Sequence, residues 1–446
     1  MRAGRFMANA IQQIAEIQAL AAPRDRIRIP PEMDVPITPR VRALIDTEQF
    51  HRLAHVSQLG LVSRVYPAAH HRRFEHSLGV YRLSLLFLRH LSHDHRFQTL
   101  IEPRDAELLI VAALLHDIGH WPFCHLIEDL KLDGIPRHET FARKILTEGE
   151  LSQVLNDQWS LDGHEVADVL ENSELDAKAQ LISSILSGPI DVDKMDYLTR
   201  DSLHAGVPYG RNFDQARLIG SLCLNQQGDG LAVSEKGRTA AEMMVFARYV
   251  MFSEVYWHHA VRAATAMLQR AFYLLQDDLD FSSLFLMTEQ PFIDELERTG
   301  AQQTSTTELL QGLFGSRRQL YKRLLECSYY EEPEIYSKLA RQTYGRLFEL
   351  STSMAENLSR LLGSQVDSHQ VLIDAPPVKL EVQFAVDIYD GKQDCYRPLG
   401  DVSPVVRTLA EKQFDDYVKR VRVFVHPALA QRIQESGQTI GWSDLI

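Results

Sequence analysis

A chain of 446 residues, 45% of them hydrophobic, is long enough for a large buried core and for two or three domains. Its formal net charge of -13 argues against broad, sequence-independent binding to DNA or to an anionic membrane surface, but not against a local cationic site for an anionic substrate. Cys124, Cys223, Cys327 and Cys395 are scattered and form no CxxC pair, so they read as reduced thiols and not as a disulfide framework or zinc ribbon.

Ile11, Ile14, Ile17 and Leu20 stand at helical spacing, which predicts either an amphipathic helix or an extension with little structure. Residues 26–31 alternate and then meet Pro30 and Pro31, the pattern of a short edge strand and turn. Residues 41–47 end a helix, and Thr47 is placed to cap a second one over residues 48–58. The apolar run 108–115 has the density of a buried helix and delivers His116 and Asp117 side by side. To about Gln276 most segments read as helix, punctuated by Gly188-Pro189, Gly206-Val207-Pro208 and Gly228-Asp229-Gly230. The last of these predicts a hairpin joining residues 222–224 to 231–233. Residues 301–307 are polar and Thr-rich, a loop, with more helix to about Leu362. Beyond Gly363, residues 371–373, 380–384 and 421–425 read as strands and 401–418 as helix, a small C-terminal α+β lobe. No apolar stretch approaches the ~20 residues that span a bilayer, and no secretory leader is evident; the expectation is a cytoplasmic protein without membrane contact.

A buried helix ending in His116-Asp117 needs a reason, because buried ionisable groups cost several kcal/mol unless paired or bound to a cation. A divalent metal is the economical one, since neutral imidazole and anionic carboxylate form a mixed donor set. Upstream stands Arg73-Phe74-Glu75-His76; downstream stand His138-Glu139, a helix start, and Asp191-Val192-Asp193-Lys194. His125 and Glu128, three apart, share a helix face, where a carboxylate holds an imidazole ring. Asp193, Tyr197 and Asp201 fall at i, i+4 and i+8 on one face, with Lys194 beside them, and Arg248, Phe252 and Tyr256 repeat that spacing.

The order of these motifs resembles the HD-domain metal phosphohydrolases. More narrowly it resembles their deoxynucleoside triphosphate triphosphohydrolase branch, which includes bacterial enzymes and the animal SAM-and-HD-domain enzyme. The likeness runs from about Ile45 to about Arg270. It implies a mainly α protein: an extension over residues 1–44, an HD-domain helical core over 45–280, a helical extension over 281–365 and the α+β lobe over 366–446. It implies His76, His116, Asp117 and Asp193 as ligands of one divalent ion, whether Mn, Fe, Mg, Ni or Zn, with positions left open for water and phosphate. His125 with Glu128 would handle protons, and His120 and His138 would face phosphate; Glu128 stands where the family usually has Asp. Gln58 and Leu59 would cup base and sugar, Arg73 and Arg248 would hold phosphate, and Lys194 a distal phosphate. Tyr197 would wall the sugar, Asp201 would accept its 3′-hydroxyl, and Tyr256 would pack on the deoxyribose and exclude a 2′-hydroxyl.

Some positions depart from the family. Trp121 replaces a small residue after His120 and implies a bulkier site wall. Trp257, His259, His51 and Ala54 replace residues of the animal enzyme, although Asp46 is kept, so nucleotide activation of the animal kind is not expected. The implied reaction converts a deoxynucleoside triphosphate substrate to deoxynucleoside and tripolyphosphate, in a homodimer or homotetramer. The alternatives are an HD phosphohydrolase for another nucleotide or for single-stranded nucleic acid ends, and a nucleotide-sensing scaffold. A nuclease calls for a basic groove, of which a charge of -13 gives no hint.

Overall fold

The computed structural model describes residues 10–22, 24–172, 176–376, 386–409 and 418–446. The isoleucine pattern near the N-terminus folds into two short helical turns, Ala10–Gln13 and Ala15–Ala19, that bury Ile11, Ile14 and Ile17. Glu16, buried on the same turn, takes a hydrogen bond from Thr38 at 2.6 Å and one from Arg40 Nε at 2.9 Å. The strand expected over residues 26–31 is β1 (Arg26–Ile29). It pairs antiparallel with β2 (Met33–Pro36), which the alternation alone does not reveal.

Thr47 caps the helix Glu48–His51 by accepting from Phe50 N–H at 3.3 Å. The helix expected to continue to residue 58 tightens over Arg52–His55 and stops. The backbone beyond is claimed by another strand of chain: Gln58 N–H donates to the His71 carbonyl at 3.0 Å and Arg73 N–H to the Val56 carbonyl at 3.0 Å. This pairing launches the long helix Arg73–Leu91, which carries His76 one turn in.

The apolar run predicted as a buried helix is Pro103–Leu115, with proline at its start and a reciprocal Glu102–Asp105 cap. It packs on Arg73–Leu91, which packs in turn on Val192–His204, the helix that carries Asp193, Tyr197 and Asp201, around the main core. A second core lies along His259–Leu275 and includes Trp121, Phe272, Phe285 and Phe292. Among the described residues no helix is long and apolar enough to cross a membrane. The four cysteines are unbridged thiols.

The predicted hairpin is present as β3 (Leu222–Leu224) and β4 (Leu231–Ser234), with Leu222 opposite Val233. The Thr-rich segment is not all loop, since a helix, Thr304–Phe314, begins inside it. A strand unforeseen in the sequence, β5 (Lys322–Cys327), follows. The helix Tyr344–Leu362 ends where expected, with Gly363 at φ 61°. β6 (Val371–Asp374) and β9 (Val421–Val425) are the predicted strands, and they form a sheet with β5 in the order β5-β9-β6, antiparallel throughout.

Between them, β7 (Asp387–Asp390) and β8 (Cys395–Pro398) return to the core hairpin in the order β3-β4-β7-β8, with β7 parallel to β4. Of the helix expected over residues 401–418, the described part is Leu399–Val402 and Pro404–Thr408, separated at Ser403 because Pro404 cannot continue a helix behind it, and residues 410–417 lie outside the described residues. The strand expected over residues 380–384 lies outside the described residues. The mainly α architecture with a small α+β region agrees with the sequence reading.

Candidate active site and metal centre

Three segments bring His76, the adjacent His116 and Asp117, and Asp193 to one point. His76 Nε2 lies 3.2 Å from His116 Nε2 and 3.0 Å from Asp193 Oδ1. Asp117 Oδ1 is 3.4 Å from His116 Nε2, and Asp117 Oδ2 is 3.9 Å from His76 Nε2. The opposite ring nitrogens fix the tautomers. His76 Nδ1–H donates to Asp196 Oδ2 at 2.9 Å and His116 Nδ1–H to the Ala113 carbonyl at 3.0 Å. Both Nε2 lone pairs therefore face each other and two carboxylates, an arrangement that repels itself unless a cation sits among them.

The three shorter spacings fit such an ion, since ligands about 2.1 Å from a common centre stand roughly 3.0 to 3.4 Å apart, while His116 Nε2 to Asp193 Oδ1 at 3.8 Å and the 3.9 Å contact are wider. The charges agree. Burial lowers the pKa of His76, but Asp193, Asp196 and Asp117 outweigh it and push the imidazole up to about 10, so the carboxylates call for a positive charge at Nε2, which a bound cation supplies in place of a proton. His76, His116 and Asp117 form a group that could hold a metal, and Asp193, with its side chain 32% exposed, is the open side of the quartet.

The turn that carries this pair is held from several directions. Arg52 Nη2 donates to the Ile118 and His120 carbonyls at 2.8 and 2.9 Å. Gly119 meets the start of the helix His138–Thr147 so closely that a Cβ would lie 2.1 Å from the His138 carbonyl. Phe123 takes φ 58° to launch the short helix Cys124–Glu128. Trp121, expected in the site wall, turns instead into the second core, stacked 4.1 Å from Phe285. A large aromatic is stable there because Phe141 and Phe285 enclose it on two sides.

Beside the quartet lies a cluster of imidazoles. His120 Nε2 is 3.2 Å from His125 Nε2, and the His120 and His138 rings are 3.9 Å apart. His120 Nδ1 lies 3.1 Å from Asp117 Oδ1, off the hydrogen-bonding direction. Glu128 ties the cluster together: it accepts from the His138 backbone N–H at 2.7 Å and from His138 Nδ1 at 3.0 Å, and His125 Nδ1 stands 3.4 Å away. Burial raises the Glu128 pKa, but His125 and His138 outweigh it and hold the carboxyl well below its usual range. Burial, with Arg73 nearby, keeps His120 neutral. Ionised carboxylate and adjoining imidazoles can take up and pass on a proton.

A cavity of about 990 Å³ opens along this cluster. Gln58, Leu59, Arg73, His125, Glu128, His138 and Tyr256 line it, seven of the residues singled out in the sequence. Arg73 joins it to the quartet, since its Nη1 donates to Asp117 Oδ2 at 2.9 Å. Lys194, Tyr197, Asp201 and Arg248 do not line it. Lys194 Nζ is paired with Asp191 Oδ2 at 2.5 Å, and the half-buried Tyr197 lies in the field of Arg248 and Lys194. Tyr256 reaches Asp201 from the cavity side, its hydroxyl donating to Oδ2 at 2.6 Å. Arg248 and Tyr256 do not continue one regular helix face. Arg238–Met251 ends before a wider turn over Phe252–Tyr256, which rotates Tyr256 away from the i+8 position.

Two residues that look like part of a solvated acidic face, Asp191 and Asp196, are buried. Asp191 caps Val192–His204 by accepting from Lys194 N–H at 2.6 Å. Asp196 accepts from His76 and from Arg200 Nε at 2.7 Å, so it orients a ligand of the quartet. The i, i+4 spacing of Asp196 and Arg200 was the available signal. His71, which donates to Asp201, carries no sequence signal beyond its place just before Arg73.

This helical core, with His, His-Asp and Asp converging from separate segments, is that of an HD domain. Residues 73–201 match the family model described as HD domain, and residues 213–440 match the HD associated region. The chain belongs to the HD-domain phosphohydrolase family. An uncharacterized protein of Methanocaldococcus jannaschii is 33% identical over 84% of this chain and 74% of its own length. The deoxynucleoside triphosphate triphosphohydrolase SAMHD1 of Gallus gallus is 25% identical over 76% of this chain, a match that spans 60% of that protein. A solved structure of a hypothetical protein from Aquifex aeolicus superposes with a TM-score of 0.71 at 27% identity, covering 93% of this chain and 99% of the other.

Proposed function

We propose that this protein hydrolyses deoxynucleoside triphosphates to deoxynucleoside and tripolyphosphate, with one divalent metal held by His76, His116, Asp117 and Asp193. The observation that carries this reading is the double role of Arg73, which lines the large cavity and also bonds Asp117 of the quartet. A phosphate entering the cavity meets that guanidinium beside the metal position. A divalent ion there supplies Lewis acidity toward a phosphoryl oxygen.

The chain's own groups do the rest. His125, exposed to the cavity and ordered by Glu128, exchanges a proton at its Nε2, while His120 and His138 line the path beside it. Arg73 neutralises phosphate charge in the cavity, and Arg248 and Lys194, which stand outside its lining beside Tyr197, take the phosphate charge that extends past it. Gln58, Leu59 and Tyr256 line the cavity and border the base and sugar, with Asp201 behind Tyr256 through its hydroxyl and Tyr197 one turn earlier on the helix that carries Asp201. The likeness to SAMHD1 supports the same substrate class.

The test is product analysis after incubation with pooled deoxynucleoside triphosphates, ribonucleoside triphosphates and short oligonucleotides, with Mn or Mg. Deoxynucleoside plus tripolyphosphate is the expected result. Mononucleotides released from oligonucleotide ends would replace this reading with the nucleic acid one, and binding without turnover would leave a sensing scaffold.

A further inference from the structure

We infer that His71 is a positioning residue that holds Asp201 in place for the sugar end of the substrate, an inference that rests on the deoxynucleotide reading above. His71 is 4% exposed and Asp201 is 2% exposed. Their contact, His71 Nε2 to Asp201 Oδ1, is 2.8 Å. An ionised carboxylate only accepts, so Nε2 carries the proton. Nδ1 then holds the lone pair, which agrees with its having no hydrogen-bond partner among the described residues.

The ring is fixed in two further ways. It stacks on His204 at 4.3 Å and 13°, and His204 Nε2 is itself tied to Glu75 at 2.9 Å. Its own carbonyl accepts from the backbone N–H of Gln58, a residue of the cavity wall.

The consequence falls on Asp201. His71 grips one of its oxygens and the Tyr256 hydroxyl the other, at 2.6 Å. Two donors on opposite oxygens set the plane of the carboxylate, so its remaining lone pairs point in one fixed direction. With Tyr256 alone, the group is free to turn about its own axis. A ligand hydroxyl at the sugar end gains most from an acceptor that is already aimed.

The experiment compares kcat/KM for dATP and 2′,3′-dideoxy-ATP in wild type, His71→Leu and His71→Gln. Each ratio is taken on one preparation, so a misfolded fraction cancels. Wild type should prefer the 3′-hydroxyl by about tenfold to hundredfold, the value of a hydrogen bond to a charged acceptor. His71→Leu should bring that preference below about threefold, and His71→Gln should restore most of it, because its side-chain N–H reaches the place of Nε2. Undiminished preference in His71→Leu overturns the inference, as does equal loss in the Leu and Gln variants. Hydrolysis of both substrates by wild type without preference also overturns it and leaves the triphosphohydrolase reading standing. Hydrolysis of neither removes that reading, and this one with it.

Discussion

Gly79 and Asp196 compete for the same space: a Cβ on Gly79 would lie 1.9 Å from Asp196 Oδ1 and 2.5 Å from Arg200 Nη2. Asp196 cannot swing aside cheaply, because it is buried and takes hydrogen bonds from both His76 and Arg200. Gly79→Ala should therefore act at a distance on the metal position, by turning His76. Overpacking of this kind costs about 1–3 kcal/mol in stability. Disturbing a ligand's orienting partner costs about tenfold to hundredfold in metal affinity. Thermal unfolding and a metal titration check the pair of effects; wild-type affinity in the variant would detach Asp196 from the metal centre.

Asp117→Ala should abolish stoichiometric metal binding and hydrolysis while leaving far-UV helicity near the wild-type value. The surrounding helices are built on apolar contacts that the substitution does not touch. Arg73 loses its carboxylate partner, at about 1–3 kcal/mol in stability. Metal analysis of the purified variant decides the matter, and retention of one ion per chain would contradict the ligand assignment.

Glu128 gives a pH test with a definite sign. Its carboxyl is held below its ordinary range in the folded protein, so the folded state binds fewer protons than the unfolded one as that range is crossed. The stability it contributes is present above the unfolded pKa of about 4.3 and is lost as pH falls through that value toward the folded one. Glu128→Gln removes the titration. Denaturant unfolding should show the wild type more stable than the variant at about pH 5.5, with the gap narrowing steadily below about pH 4 and still incomplete in its loss at about pH 3, because the folded carboxyl titrates lower still. A constant gap would mean that the hydrogen bonds from His125 and His138 do not favour the charged form.

Tyr256 lies at the cavity and bonds Asp201, which places a phenol where the sugar is proposed to sit. A 2′-hydroxyl pressed against it without a partner costs roughly 1–3 kcal/mol, about a tenfold to hundredfold preference for the deoxy substrate. Competition between dATP and ATP should show that preference in wild type and a smaller one in Tyr256→Ala. Equal wild-type rates would take the ring out of the sugar site.

The helical core was legible because its apolar runs are long and its breakers distinct; the 108–115 run and the Gly-Asp-Gly hairpin are both found. β5 was not, because Lys322, Arg323, Leu324, Leu325 and Glu326 all favour helix, and only pairing with β9 makes the segment a strand. The residue types at the site were legible through their spacing and family likeness. The turn that shifts Tyr256, the inward packing of Trp121 and the burial of Asp196 were not, since each depends on neighbours far away in the chain.

The pairing of β4 with β7 bears on how the chain assembles as it is made. Ser234 meets its partner Tyr389 only after about 150 further residues have been added, roughly ten to thirty seconds at ordinary rates of synthesis. Until then one edge of the core hairpin has open backbone groups, a template for the wrong strand. The HD domain can gather its helices early, but the sheet beside it closes late, and this delay leaves a newly made chain open to aggregation along that edge.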